Sequence, residues 1–433
     1  MSMCWRISGP PVYLPFVWLL LLLLSTTTVA SGSSSGSTSA APWLPTVQGR
    51  VLRSLLPQSS AESAAAVRIG RMMATTLQPG GTWPDLDYTE RKRAGWPLLK
   101  HLNRVTSMAA AWACPICTTH QDPELLSAAL LGLRYWLHTE PQDPNWYQMD
   151  IAVPREIGKT AVLLHNSSAL TAQDIAKMVQ MLLKANPAKE SGANQVDMYR
   201  IQVMRGVWQG NQSLVADAFT RTFADVKYFP QKGDSFMRDH SFHQHGPQLL
   251  PAVYGAVIAA DTMSLAGWAD GTPTAMTASS KAVFEGYILD GLAWYIAGRP
   301  GGAVWDWQVA GRRVSIPYLE SEWKWLPSFR CPAGCESGGQ GCMTIPMLSV
   351  GLEAVAVREL AGSSSRKEEW LHLADLIESG AATRSVVGNR QYWESDYVAH
   401  SRPGYLFSVR LHAIFWLTFD LAHVWAHSLV SFG

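Results

Sequence analysis

From about residue 60 to 382 the sequence follows one grammar: a capping residue, apolar positions three and four apart, then a Gly, Pro or Asn stop. In "DPELLSAALLGLRYWLH", Asp122 stands at the cap, and Leu126, Leu130, Leu133 and Leu137 recur at the spacing of one helix face. "TAQDIAKMVQMLLKANP" has Thr171 as its cap, Ile175, Val179 and Leu182 as its expected apolar stripe, and a proline stop. "NQSLVADAFTRTFADVKYF" and "RKEEWLHLADLIESGAAT" are built alike. Short loops join them, and no exact repeat relates them. Each such helix must bury its stripe against others, so the series closes either as a superhelix or as a ring of paired helices; periodicity alone does not choose.

The pattern changes near Gln391, where "QYWESDYVAHSRPGYLFSVRL" alternates and turns at "SRPG", as opening β-strands do. A β domain needs several strands to be stable alone, so the strands from Gln391 on are expected to lack partners. The chain then gives an apolar stretch, "LHAIFWLTFDLAHVWAHSLVSFG". The other end reads as a leader: Arg6, the apolar run "VYLPFVWLLLLLLSTTTVA", Thr28 and Ala30 in a cleavage-like position, then "SGSSSGSTSAAP" as a flexible linker. An uncleaved anchor is the rival reading. The expected organisation is a signal peptide at 1–30, a linker at 31–44, a helical domain at 45–385, the start of a β domain at 386–412 and an atypical tail at 413–433. Secretion is the expected destination, with no stable membrane insertion after cleavage. Sequons at Asn166 and Asn211 fit that route.

Net charge is +1, which excludes a globally basic nucleic-acid binder. Cys4 belongs to the leader; Cys114, Cys117, Cys331, Cys335 and Cys342 are read as structural, disulfide-forming residues. Nineteen tryptophans supply flat apolar faces, most of them for the core.

Four segments put polar groups among apolar helices. "NWYQMDIAVPREIG" carries Trp146 and Tyr147, expected in a loop before a helix opening at Pro154 and able to pack on it or to stack a sugar ring. "SGANQVDMYRIQVMRG" carries Asn194, read first as a helix N-cap and otherwise as an amide able to grip a carboxylate. "DHSFHQHGPQLLPAVYGAV" holds Asp239, His240, His243 and His245, followed by Tyr254. That cluster invites a metal, yet its spacing fits no standard zinc pair, and Gly246-Pro247 breaks any helix after His245. A histidine on a turn with a tyrosine nearby can instead pass protons. "VWDWQVAGRRVSIP" carries Arg312 and Arg313, a solvated basic turn or a grip for an anionic sugar.

Taken together, "NWYQMDIAVP", "SGANQVDM", "SFHQHGPQLLPAVYGAV", "GRRVS" and "WESDYVAHSRPGYLFSVR" resemble polysaccharide lyase family 8, the chondroitin AC, hyaluronate and xanthan lyases, with the third segment nearest the chondroitin AC pattern. The resemblance covers about residues 45–412. It implies a mostly α fold, an incomplete α/α toroid followed by the truncated start of an antiparallel β-sandwich. It implies β-elimination on uronate glycosaminoglycans with no cofactor and no metal. It assigns Asn194 to neutralising the uronate carboxylate, and His245 to assisting it or acting as base. Tyr254 is the proton donor to the leaving oxygen, Arg312 the cation beside Tyr254, and Trp146 and Tyr147 the aromatic pair that positions the sugar chain. Arg313 is the candidate substitute for a second family arginine, whose place is taken by Ile316. Two alternatives stand beside this reading. One is a toroid glycoside hydrolase using carboxylates among Asp150, Glu156, Asp239 and Asp306; the other is a truncated, non-catalytic carbohydrate-binding form.

Overall fold

The computed structural model describes residues 42–91, 96–229, 233–299, 302–311, 362, 364–379, 386–402, 405–411 and 429–431. The helices come in chain order as α1 (Leu44–Ser54), α2 (Ser60–Thr76), α3 (Lys100–Ala113), α4 (Pro123–Thr139), α5 (Val153–Leu163), α6 (Ala172–Leu182), α7 (Gly192–Trp208), α8 (Gln212–Ala224), α9 (Ala256–Ala269), α10 (Ala278–Glu285) and α11 (Lys367–Ser379). They pack as two layers. An inner row runs α3, α5, α7, α9, each against the next; α2 and α4 flank α3, α6 lies outside α5 and α7, and α8 covers α7. The layering follows from side-chain chemistry. The inner helix α7 buries 11 of its 17 residues, whereas the outer α6 buries only Asp174, Met178, Met181 and Leu182. A helix that is apolar on most sides must be covered on most sides.

The caps form as the sequence predicts: Asp122 accepts from the N–H groups of Glu124 and Leu125, and Thr171 forms a reciprocal capping box with Asp174. The face of α6 does so only in part: Leu182 is buried as expected. Ile175 is exposed and Val179 only half-buried, because the core lies along the Met178, Met181 and Leu182 side. The carboxylate of Asp174, held by Arg134 at 3.0 Å and by its own cap, belongs to that buried side. Cys114 and Cys117 are joined by a disulfide across the turn after α3. Cys331, Cys335 and Cys342 lie outside the described residues.

Within the stretch read as overwhelmingly helical, up to residue 382, lies a two-stranded antiparallel ribbon, β1 (Ile296–Arg299) with β2 (Gly302–Trp305), which that reading did not foresee. Farther on, β3 (Gly388–Tyr392), β4 (Tyr397–Arg402), β5 (Tyr405–Arg410) and β6 (Leu429–Ser431) form an antiparallel sheet in that order. The strands expected to lack partners therefore have them, and β6 comes from the stretch read as an apolar tail. The sheet also does not stand alone. Tyr295, Tyr392 and Tyr397 pack ring on ring, with Tyr295 and Tyr392 centroids 4.7 Å apart. Tyr392 donates to the carbonyl of Gly291, Tyr397 to the buried Asp306, and Gln308 to the carbonyl of Ser408. The sheet is thereby anchored to the end of the helical layer.

Candidate active site

His245 lies on a tight loop between α8 and α9, with φ at 60°, and Gly246 follows at 80°. A histidine in the left-handed region costs free energy and persists only where its surroundings fix it. Here they do. Gly246 N–H donates to Asp234 Oδ1 at 2.8 Å, and Gln244 N–H to the carbonyl of Gln248 at 3.1 Å. The chain then enters α9 through one wide π turn, Pro251–Gly255, which carries Tyr254. Such turns insert a residue into a helix and re-aim its side chains. The result is direct contact: His245 Nε2 and Tyr254 Oη are 2.9 Å apart, with the imidazole edge-on to the phenol at 89°. His245 is exposed, so the pair faces solvent.

The histidine cluster does not converge. His240 Nδ1 meets the hydroxyl of Tyr228 at 3.0 Å, His243 Nε2 meets Ser395 Oγ at 2.7 Å, and His245 turns to Tyr254. Burial holds the pKa of His240 below its usual value. Among the described residues no three metal-ligating side chains are arranged to hold an ion. Asp239 is wholly buried. It accepts from the N–H and hydroxyl of Ser241 and from the N–H of Glu394, so the β3–β4 turn is clasped to the histidine loop.

Asn194 is not the N-cap of α7; Ser191 holds that place, and Asn194 sits in the first turn. Its side chain is buried, and its amide donates to Glu190 Oε2 at 3.3 Å.

Trp146 and Tyr147 are helical rather than in a loop. They open a segment that passes through a second π turn, Gln148–Ala152, into α5 without a break. Trp146 is 45% exposed and stands perpendicular to Tyr147, with ring centroids 6.2 Å apart. Below them, Arg155 pairs with Asp197 at 2.7 Å, and Arg200 with Asp261 at 2.8 Å. Asp197 and Arg200, about one and two helical turns beyond the start of α7, thus tie that helix to α5 and to α9, which follows the π turn carrying Tyr254. Arg155 pulls the phenol of Tyr147 down, while burial and the two carboxylates push it up; the balance is upward. Asp261 is pushed up to about 6 by burial and then by the like charge of Asp197.

Arg312 and Arg313 lie outside the described residues. Gly311, just before them, lies against Val253, and a Cβ built on it would stand 3.6 Å from the Val253 side chain. The carboxylates of the hydrolase alternative are committed elsewhere. Glu156 is buried on Lys159 and Thr106, Asp239 is in the clasp, and Asp306 takes the hydroxyl of Tyr397. That leaves Asp150, with no second carboxylate of the four free to face it. The sequence reading missed Gln244, Asp234, the Arg155–Asp197 pair and the Glu394–Ser395 turn. Gln244 stands inside one of the four polar segments, but its role lies in contacts with Ala193 and Asp234 that no local spacing shows.

A sequence profile described as "Polysaccharide lyase family 8, N terminal alpha-helical domain" matches residues 58–324. Chondroitinase-AC of Pedobacter heparinus is 24% identical over 347 residues, covering 79% of this chain and 45% of that protein. Hyaluronate lyase HylB of Cutibacterium acnes is 25% identical over 298 residues, covering 63% and 36%. The chain thus spans less than half the length of these relatives. Among solved structures, a chondroitinase AC lyase superposes with a TM-score of 0.70 at 22% identity, covering 86% of this chain and 50% of that one. The chondroitin AC lyase of Streptomyces coelicolor A3 gives 0.66 at 20% identity, covering 84% and 53%. A xanthan lyase of Paenibacillus gives 0.63 at 17%, covering 85% and 37%. These likenesses establish the fold expected of the sequence, helical layer first and antiparallel sheet after. With the profile matched over more than half its length, the chain belongs to polysaccharide lyase family 8.

Proposed function

We propose that the chain cleaves uronate-containing glycosaminoglycans, of the chondroitin or hyaluronan type, by β-elimination. One observation carries the reading: the 2.9 Å contact between His245 and Tyr254, held open to solvent by a left-handed backbone. A proton at C5 of a uronate is too weakly acidic for a protein base while the carboxylate keeps its charge. The amide of Asn194 is suited to hydrogen-bond that carboxylate and to stabilise the enolate as it develops. The C5 proton passes to one member of the His245–Tyr254 pair, and the C5 electron pair forms the C4=C5 double bond. The C4–O bond breaks, and the leaving oxygen takes a proton from Tyr254. Trp146 offers the flat face on which a sugar ring stacks, and the names of the relatives support the substrate class.

Incubating the full chain with hyaluronan, chondroitin, dermatan, heparin and alginate tests this directly. Elimination leaves an unsaturated uronate that absorbs ultraviolet light, whereas hydrolysis leaves none. Absorbance with chondroitin or hyaluronan, lost in Tyr254→Phe, is the expected result; chain shortening without absorbance refutes it. We also propose that the protein acts in the secretory lumen or outside the cell, supported by the apolar leader and by the Cys114–Cys117 disulfide. Fractionating expressing cells, with N-terminal sequencing of protein recovered from the medium, tests that. Protein found in the cytosol, and in neither the secretory lumen nor the medium, overturns it.

A further inference from the structure

Between Asn194 and His245 stands a side chain that touches both of their segments. Gln244 Oε1 accepts from the N–H of Ala193 at 2.9 Å, and its Nε2 donates to Asp234 Oδ2 at 2.6 Å. The same Nε2 lies 3.4 Å from the carbonyl of Ser191, whose hydroxyl donates to Asp234 Oδ2 at 2.7 Å. Asp234 Oδ1 in turn accepts from the N–H of Gly246 at 2.8 Å. The residues flanking Asn194 and those flanking His245 are therefore fastened to one amide and one carboxylate. Gln244 is 1% exposed, so these contacts form in low dielectric, where an unmet partner is costly. The approach is close enough to dictate a glycine. Gly192 has φ at 57°, and a Cβ there would stand 2.3 Å from Gln244 Oε1.

We propose that Gln244, braced by Asp234, is a positioning residue that sets Asn194 and His245 at a fixed separation for the reaction. The proposal deepens the lyase reading and rests on it. Neither residue reaches the reacting atoms. Gln244 acts by keeping the carboxylate-binding amide in register with the proton-transfer pair. A small displacement of either group from productive geometry lowers turnover by up to ~100-fold.

The test is a polarity swap. Gln244→Glu keeps the acceptor for Ala193 but sets a second carboxylate against Asp234. Asp234→Asn removes the acceptor for the Gln244 amide. Combining them restores a donor–acceptor pair with its direction reversed: the amide introduced at position 234 donates to the carboxylate introduced at position 244, while the amide oxygen still accepts from Gly246. Each single variant is expected to lower kcat ~10- to 100-fold with KM changed less than ~3-fold, and the double variant to recover at least ~10-fold. Hydrogen exchange supplies a readout independent of turnover. Each single variant, still folded by circular dichroism, should exchange faster in both the 191–198 and 244–250 segments, and the double variant should restore both. Singles at the wild-type kcat, a double no better than the worse single, or faster exchange in one segment alone overturns the proposal. Tyr254→Phe run alongside separates the two ideas. If it is inactive while Gln244→Glu turns over normally, the lyase reading stands and this one falls. If it turns over like wild type, the lyase reading falls, and the exchange data alone decide whether Gln244 couples the two segments.

Discussion

Tyr254→Phe combined with His245→Asn asks whether the two side chains form one relay. The phenylalanine removes a single oxygen, whose contact with His245 Nε2 is 2.9 Å. Asparagine is chosen at 245 because it accepts the left-handed backbone that His245 adopts at φ 60°. In folding terms each change costs one exposed hydrogen bond, about 1 kcal/mol. In catalytic terms each removes a proton-transfer partner, with a loss of ~10²- to 10⁴-fold. Even the smaller figure corresponds to about 2.7 kcal/mol of barrier, so activity must fall by far more than stability. If the pair is one relay, breaking either end disables it, and the double variant is no slower than the slower single one. Two independent contributions would multiply instead, to ~10⁴-fold or beyond. Initial rates from ultraviolet absorbance, with urea unfolding of the same preparations, measure both quantities. Multiplying losses, or near-normal turnover in Tyr254→Phe, would refute the reasoning.

Three further outcomes are expected. Trp146→Ala should raise KM roughly fivefold and leave kcat nearly unchanged, because an exposed stacking face contributes binding of about 1 kcal/mol and no proton transfer; saturation kinetics check it, and a kcat loss with constant KM would contradict it. Asp239→Ala should lower unfolding stability in urea by about 3 kcal/mol, since it strands the N–H groups of Ser241 and Glu394 in a buried clasp; a change under about 1 kcal/mol would show the clasp to be idle. His101 is buried in α3 between Tyr88 and the carbonyl of Gly132, and burial lowers its pKa from 6.5 to about 4. Its contribution is full above pH 6.5 and is lost as the pH falls toward 4, because the unfolded chain takes up the proton first; the loss is about 3 kcal/mol. Asp261, raised to about 6, works oppositely across the lower part of that window. The His101 effect is therefore read as the difference between wild type and His101→Gln, and parallel pH profiles for the two would count against it.

What the sequence disclosed followed from local rules. Asp122 and Thr171 announce their helices because a cap is satisfied within four residues, and the His245-Gly246-Pro247 break announces a turn because no helix survives it. Long-range pairing stayed hidden. The face of α6 was misread because Ile175 and Met178 are equally apolar in sequence, and only the neighbouring helices decide which is covered. Asn194 has the chemistry of a cap but lies three residues inside the helix that Ser191 begins. The ribbon of β1 and β2 is too short to show a period. Of the site, Asn194, His245, Tyr254 and the aromatic pair were legible, whereas Gln244 and Asp234 matter through geometry that no spacing encodes.

The clasp between the histidine loop and the β3–β4 turn also bears on how the protein is made. Asp239 and Glu394 are 155 residues apart in the chain, and His243 and Ser395 are 152 apart. A ribosome adding about 5–20 residues per second needs roughly 8–30 s to cover that interval. The helices around His245 emerge long before the turn that fastens its loop. During biosynthesis the nascent chain therefore carries a helical layer whose histidine loop still lacks its outer strut, with the buried carboxylate of Asp239 waiting for the N–H of Glu394. Slowing translation between those two points lengthens the wait, and the interval is a place where a chaperone or a protease can compete for the unfinished loop.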